Sequence, residues 1–276
     1  MPYATLVQPG TRVRLQDHDP RDTAGLDKEQ GLARFAELNE ELDALQEELY
    51  AAETHSVLMV LQGMDTSGKD GTIRGVLANL NPQGVRVESF KVPTEEELAH
   101  DFLWRVHRVT PRRGIFGVFN RSHYEDVVVV RVLGLAPEPV WQARYEQINH
   151  FESLLAANGT IVLKFFLHIS NDEQEKRLLD REKDLTKAWK LAAGDWQNRE
   201  HWDAYQQAYE DALSRCSTDA APWYVVPADR KWFRNLAVTE ALVERLRGYR
   251  DGWRASLDAL SRERKAELEA YRAGAR

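Results

Sequence analysis

The chain has 276 residues, 43% hydrophobic and 29% charged, with a formal net charge of −7 and one cysteine, Cys216. That length buries a substantial core in one large domain or a domain with an insertion, and the acidic balance argues against nucleic acid or an acidic membrane as partner. A lone cysteine excludes an internal disulfide framework, which fits a reducing cytoplasm, and makes Cys216 a buried filler before it makes it a nucleophile.

No basic segment followed by an apolar run opens the chain, and no run of about 18 apolar residues occurs, so neither a secretory leader nor a membrane span is expected. Residues 1–24 are polar and turn-rich and read as an extended arm. Over 25–52, Leu26, Leu32, Phe35, Leu38, Leu42, Leu45 and Leu49 recur at three and four residues, the period of an amphipathic helix. The run SVLMVLQ (56–62) is a short apolar strand of the kind covered on both faces in a parallel sheet.

That strand ends in GMDTSGKDG (63–71), and KDGTIRGVLANL (69–80) reads as a helix. Gly63, four residues, then Gly68-Lys69 has the spacing of a phosphate-binding loop, and strand, glycine loop, helix is the context such a loop requires. Its backbone N–H groups and the positive end of the helix converge on an anion, and Lys69 adds a mobile charge. Gly63, Ser67, Gly68, Lys69, Asp70 and Gly71 are the phosphate-binding candidates. Asp70 stands where a metal-binding hydroxyl is usual, and a second acid, Asp65, lies inside the loop. An acid there repels phosphate unless a cation lies between, so Asp65 is the leading metal ligand.

Further on, 85–89 is a strand and 94–109 a helix with a Thr94 cap. WRVHRVTPRRG (104–114) gathers Arg105, Arg108, Arg112 and Arg113. Its bland reading is a solvated face; the alternative is a track for a polyanion, with Arg112 and Arg113 as phosphate contacts. GIFGVFN (114–120) is a buried strand that ends on Asn120, where related loops hold a second metal-binding acid. Arg121, Ser122, His123, Glu125 and Asp126 follow at the sheet edge where α/β proteins bind ligands. A Ser122 cap with acids in the first turn is the plain alternative for Asp126. Glu125 joins Asp65, Lys69, Asn120 and Arg121 as a catalytic candidate and Asp65 as a metal candidate.

A helix (139–159), a strand (160–169) and a helix (170–182) come next. Residues 181–205 carry Arg181, Lys183, Lys187, Lys190 and Arg199 with Trp189, Trp196 and Trp202. Cations late in such a fold suit a lid that closes over phosphates, with Arg181, Lys187 and Lys190 as its contacts. The tryptophans read as packing anchors. A helix (201–217), a strand (223–228) and a helix (232–249) close the domain, and 251–276 is a charged helix or tail. Repeated strand–helix units predict a three-layer α/β sandwich with a mostly parallel sheet. The domain spans 25–250.

GMDTSGKDGTIR, FNRSHYEDV and APWYVVPADRKWFRN together resemble the polyphosphate kinase 2 family, over about residues 25–247. FNRSHYED resembles its class III branch, which accepts nucleoside mono- and diphosphates; many other members read Asp-Arg-Ser there. The resemblance implies a P-loop kinase-like fold with a helical lid. It implies Mg²⁺-dependent, reversible transfer of a terminal phosphoryl group between inorganic polyphosphate and nucleoside mono-, di- and triphosphates. It implies a homo-oligomer, dimer or tetramer. By motif position Asp65, Lys69, Asn120 and Arg121 map to the active centre, and Arg181, Lys187 and Lys190 to the lid. Two other readings compete: an ATP-dependent nucleoside or nucleotide kinase of the same fold, and a non-catalytic nucleotide-binding protein.

Overall fold

The structure is a computed structural model that describes residues 2–183 and 193–274. The arm contributes β1 (Thr5–Leu6) and is pinned by Val13 N to Ser214 Oγ (2.8 Å) and Leu15 N to Glu210 Oε1 (2.7 Å). Helix α1 (Lys28–Ala52) starts at an Asp27–Gln30 capping box, which satisfies two otherwise orphaned backbone donors. Its Leu38, Leu42, Leu45 and Leu49 are buried. Next come β2 (Ser56–Gln62), α2 (Lys69–Val76), β3 (Val85–Ser89), α3 (Glu95–Leu98), α4 (Trp104–His107) and β4 (Phe116–Asn120). Then follow α5 (Val129–Val132), α6 (Glu138–Ala157), β5 (Thr160–His168), α7 (Asn171–Lys183), α8 (Ala193–Glu200), α9 (Trp202–Cys216), β6 (Trp223–Pro227) and α10 (Lys231–Gly274).

Among the described residues the strands form one sheet in the order β1-β6-β5-β2-β4-β3. Every neighbouring pair is parallel except β1 with β6. α1 packs along α10, which also meets α2, while α6 packs against β5 and α9, giving the three layers expected of an α/β sandwich. All residues of β2 and β5 are buried, as strands covered on both faces must be. The chain runs from β4 across β2 to β5. The order therefore reverses at β2, and the C-terminal ends of β2, β4 and β5 are the edge at which open α/β sheets bind ligands.

Two segments depart from the sequence expectation, and a third takes one of its two expected forms. The helix expected over 94–109 breaks into α3 and α4, because the Asp101 carboxylate accepts the Leu103 N–H (3.0 Å) that a continuous helix would use. α2 stops at Val76, whose carbonyl accepts the Asn39 amide (2.9 Å). Residues 251–274 continue the closing helix, so α10 runs 44 residues, roughly 66 Å at 1.5 Å each. Its last buried residue is Trp253.

Candidate active site

The glycine loop joins the end of β2 to the start of α2. Gly63 has φ 147° and Gly68 φ 103°, backbone that side chains rarely adopt. A Cβ on Gly63 would meet the Leu167 carbonyl at 2.7 Å, and one on Gly68 would run into the Arg234 guanidinium. Arg177, buried on α7, clamps the loop from outside. Its Nη1 donates to the Thr66 and Ser67 carbonyls (3.0 and 3.2 Å), and its Nη2 to those of Ala228 and Asp229 (2.7 and 2.9 Å). Thr66 Oγ1 and Ser67 Oγ are buried with no hydrogen-bond partner among the described residues.

Lys69, the first residue of α2, folds back and donates to the Gly63 and Met64 carbonyls (2.7 and 3.2 Å). Burial, then the charge of Arg121, pushes its ammonium down to about 8, against the opposing pull of Asp65, Glu125 and Asp70. Asp65 accepts at Oδ1 from Arg121 Nη2 (2.7 Å) and at Oδ2 from Asn198 Nδ2 (2.9 Å). Burial alone raises the Asp65 carboxyl; Arg121, Lys69, Asn198 and Arg181 outweigh it and hold its pKa below the ordinary value.

The second part of the site is the turn after β4. Asn120 donates to Asp70 Oδ1 (2.8 Å), so the amide bridges to the acid in the first turn of α2. Arg121 is left-handed, φ 63°, and spans two carboxylates: Asp65, and Glu125 through Nη1 (3.1 Å). Glu125 first, then Asp65, overcomes the effect of burial and holds that guanidinium firmly charged. Ser122 caps the short helical turn at Tyr124 N (3.2 Å) and accepts from Gln62 at the end of β2 (3.1 Å). Asp126 points away. Arg144 holds it (3.1 Å), with Arg105 at 4.0 Å, and burial raises its carboxyl despite both. Its geometry matches the plainer structural reading.

Of the lid candidates, Arg181 ion-pairs with Asp195 of α8 (2.5 Å). Burial and then Asp65 raise the Asp195 carboxyl. Lys187, Lys190 and Trp189 lie outside the described residues. Asn198, also on α8, brings this segment directly onto Asp65, and Tyr205 OH steadies it through Asn198 Oδ1 (3.2 Å).

The structure does not bring Arg112 and Arg113 to the loop. They precede β4, at the N-terminal edge of a parallel sheet whose C-terminal edge carries the loop, and Arg112 pairs with Glu53 at the end of α1 (3.2 Å). Nor do the other two arginines form a track. Arg105 is buried on the Lys91 carbonyl (2.9 Å) and Glu97 (3.7 Å), and Arg108 lies over the Trp104 ring (4.5 Å). The cluster at 104–113, expected as a polyanion track, is therefore not placed beside the glycine loop: local charge density in a sequence carries no information about which sheet edge it reaches. Cys216 is buried, and burial pushes its thiol up to about 12, so it is not a thiolate nucleophile near neutral pH.

Sequence reasoning passed over Arg177, Asn198 and a buried Glu152–Lys164 pair. A signal existed for two of them. Lys164 interrupts the apolar run TIVLKFFLHI, and Glu152 falls on the buried stripe of α6 four residues after Ile148. Among the described residues no group of three or more His, Cys, Asp or Glu gathers to hold a metal, and no helix is long and apolar enough to cross a membrane.

Residues 25–251 match the family described as Polyphosphate kinase 2. The chain is 55% identical over 244 residues to the AMP/ADP-polyphosphate phosphotransferase of Meiothermus ruber, covering 88% of this chain and 91% of that protein. It is 49% identical over 217 residues to the ADP-polyphosphate phosphotransferase of Rhodopseudomonas palustris, covering 74% and 75%. The crystal structure of polyphosphate kinase 2 from Arthrobacter aurescens superimposes with a TM-score of 0.84 at 41% identity, covering 90% of this chain and 92% of that one.

Proposed function

We infer the reaction from one premise: the chain belongs to the polyphosphate kinase 2 family. It is a phosphotransferase that moves a phosphoryl group between inorganic polyphosphate and a nucleotide. The observation that carries this is the agreement of a glycine loop holding Lys69 and Asp65 with relatives named for that reaction along most of their length. The finer reading is that it phosphorylates both AMP and ADP, reversibly, with nucleoside triphosphate as the final product. FNRSHYED and the likeness to an AMP/ADP enzyme support that range.

An oxygen of the acceptor phosphate attacks the terminal phosphorus of polyphosphate. The bond to the bridging oxygen breaks, and the chain leaves one phosphate shorter. A phosphate acceptor is already ionised near neutral pH, so no general base is needed, and positioning with charge neutralisation supplies the catalysis. The N-terminus of α2 and Lys69 bind the transferred phosphate, and Arg121 balances the charge that builds on it. Arg181 closes from the lid side. Buried Thr66 and Ser67 hydroxyls without a partner among the described residues fit a phosphate in the loop.

Magnesium is the proposed metal. It is usually held by one or two carboxylates together with phosphate oxygens, so the pair Asp65 and Glu125 fits an ion that arrives with the substrate. When bound it neutralises phosphate charge. The ion pairs that both acids make with Arg121 keep two partly buried carboxylates compatible with one another before substrate binds. A homo-oligomer of two or four copies is supported by exposed Leu260, Leu268 and Tyr271 on the projecting end of α10, and a cytoplasmic location by the free cysteine.

The test is to mix protein, Mg²⁺, AMP and polyphosphate without ATP and to follow ADP and ATP. Formation of both is expected. Turnover only when ATP is supplied as donor would replace this reading with the ATP-dependent kinase, and no turnover with either donor would favour a nucleotide-binding protein.

A further inference from the structure

Behind the turn that carries Arg121 and Glu125 lies a closed network of charge. Lys164 on β5 and Glu152 on α6 are 0% and 1% exposed and ion-paired. Lys164 Nζ also donates to Tyr124 OH (2.8 Å) and to the Cys216 carbonyl at the end of α9 (2.6 Å), which uses all three of its protons. Glu152 Oε1 accepts from Tyr124 OH (2.9 Å) and from His123 Nε2 (3.1 Å). A carboxylate can only accept, so the imidazole proton sits on Nε2. Four separate elements meet on one carboxylate and one ammonium.

The turn alternates in direction. Arg121 and Glu125 face the glycine loop, while His123 and Tyr124 face inward onto Glu152. Arg121 is also held in left-handed backbone, which a residue with a side chain adopts only where its surroundings over-determine it. A buried ion pair is weak evidence for stability, since well-packed apolar residues of similar volume often serve as well; its best-attested use is to fix one arrangement among several. Here the arrangement that is fixed is the one that aims Arg121 at Asp65 and Glu125.

We propose that Glu152 and Lys164, acting through His123 and Tyr124, are positioning residues for phosphoryl transfer that hold the 121–125 turn in register with the glycine loop. The proposal rests on the phosphotransferase reading only for its kinetic arm. Glu152 touches no substrate. Its loss lets the turn relax, and Arg121 then meets the transferring phosphate at the wrong distance while substrate still binds the loop and Lys69. The signature is therefore a fall in kcat with little change in KM.

The test uses Glu152→Gln, which keeps shape and removes charge, and Tyr124→Phe, which keeps the ion pair and removes two hydrogen bonds. Rates are measured well below the melting temperature of each variant. Glu152→Gln is expected to lower kcat at least about tenfold with KM for AMP and polyphosphate within about threefold, and Tyr124→Phe to lower kcat about threefold. Folded Glu152→Gln with wild-type kcat overturns the proposal. If Glu152→Gln does not fold, Tyr124→Phe decides in the same way. The guanidinium NMR signals of Arg121, assigned with Arg121→Lys, give a reading independent of turnover. They are expected to shift in either variant, and unchanged signals overturn the proposal. A wild-type protein inactive with polyphosphate would instead defeat the reaction assignment, and the Arg121 signals would still judge the positioning role.

Discussion

At the C-terminal edge of the sheet, Lys69, Asp65, Arg121 and Glu125 lie together beside the first turn of α2; at the N-terminal edge, Arg112, Arg113, Glu53 and His55 lie beside the last turn of α1 and the Gly114 turn. Both edges carry arginine, acid and a left-handed glycine. Their surroundings separate them. The Asp65 and Glu125 side chains are 12% and 16% exposed, whereas those of Arg112 and Glu53 are 67% and 61% exposed. An exposed pair is worth about 0–1 kcal/mol and is screened by salt, while charges held out of water act strongly on anything that enters. The helix ends also differ in sign. α2 presents its positive N-terminus to the loop, and α1 presents its negative C-terminus to Arg112. One edge has the electrostatics proposed for a phosphate site; at the other an arginine completes the end of a helix.

The largest break in this contrast comes from the loop lysine. Lys69→Ala is expected to lower kcat/KM by about 10³ or more, roughly 4 kcal/mol of transition-state stabilisation, with melting little changed. Near wild-type turnover in a folded variant would remove Lys69 from the mechanism. Next is Asp65. Asp65→Asn should lose at least about 100-fold and need more Mg²⁺, while Asp70→Asn, whose partner is the Asn120 amide, loses less. Rate against Mg²⁺ for both variants decides. A wild-type Mg²⁺ curve in Asp65→Asn would move the metal to Glu125.

A pH effect follows from burial at the same edge. Lys69 ionises near 8 in the folded protein against an ordinary 10.5, because burial and Arg121 disfavour its charge. In the proposed role of Lys69 phosphate capture needs the charged form, so kcat/KM should fall about tenfold per pH unit above about 8. Between 8 and 10.5 the unfolded chain binds the extra proton. This group's contribution to stability is therefore greatest above 10.5 and declines as the pH drops toward 8. A flat kcat/KM between pH 8 and 9.5 would contradict the assignment. A smaller effect is expected at α8. Asn198→Ala frees one oxygen of Asp65 and should lower kcat severalfold with ADP affinity nearly unchanged, read by turnover beside calorimetry.

Much of the active edge was legible because it is local in sequence. The apolar run 56–62, the two glycines and Lys69 fall within 14 residues, and the turn 120–125 follows directly on a second apolar run. Asn198 was not legible, since it meets Asp65 across 133 positions and lies in a polar segment with no periodic pattern. Arg177 was hidden for another reason. On a helix as polar as 171–183 nothing marks the one arginine that turns inward to bond four carbonyls. For the 104–113 cluster it was the placement that sequence hid. Its charges are real, but Arg105 is consumed by Glu97 and the Lys91 carbonyl, and strand direction carries Arg112 and Arg113 to the far edge.

The smallest expected effect tests that last point, and its value lies in being small. A turn closed by Ile115 N on the Arg112 carbonyl leads into β4 (Phe116–Asn120), so about five steps at 3.3 Å each, roughly 16 Å, separate that turn from the Asn120 that faces the loop. The screening length at physiological salt is about 8 Å. A charge reversed at Arg112 or Arg113 therefore reaches a phosphate in the loop only after about two screening lengths. What the reversal does disturb is local. It sets two acids beside Glu53 and the negative end of α1, a like-charge contact worth about 0.5–1 kcal/mol at an exposed helix end. The double variant Arg112→Glu/Arg113→Glu should then melt slightly lower, with kcat and the KM for AMP within about twofold of wild type and the KM for long polyphosphate equally unchanged. Long and short polyphosphate must both be assayed, because a long chain could leave the loop and run over the surface to the far edge. A KM that rises for long polyphosphate alone, and shrinks back in added salt, would show that the donor reaches around the sheet and that the two edges act together.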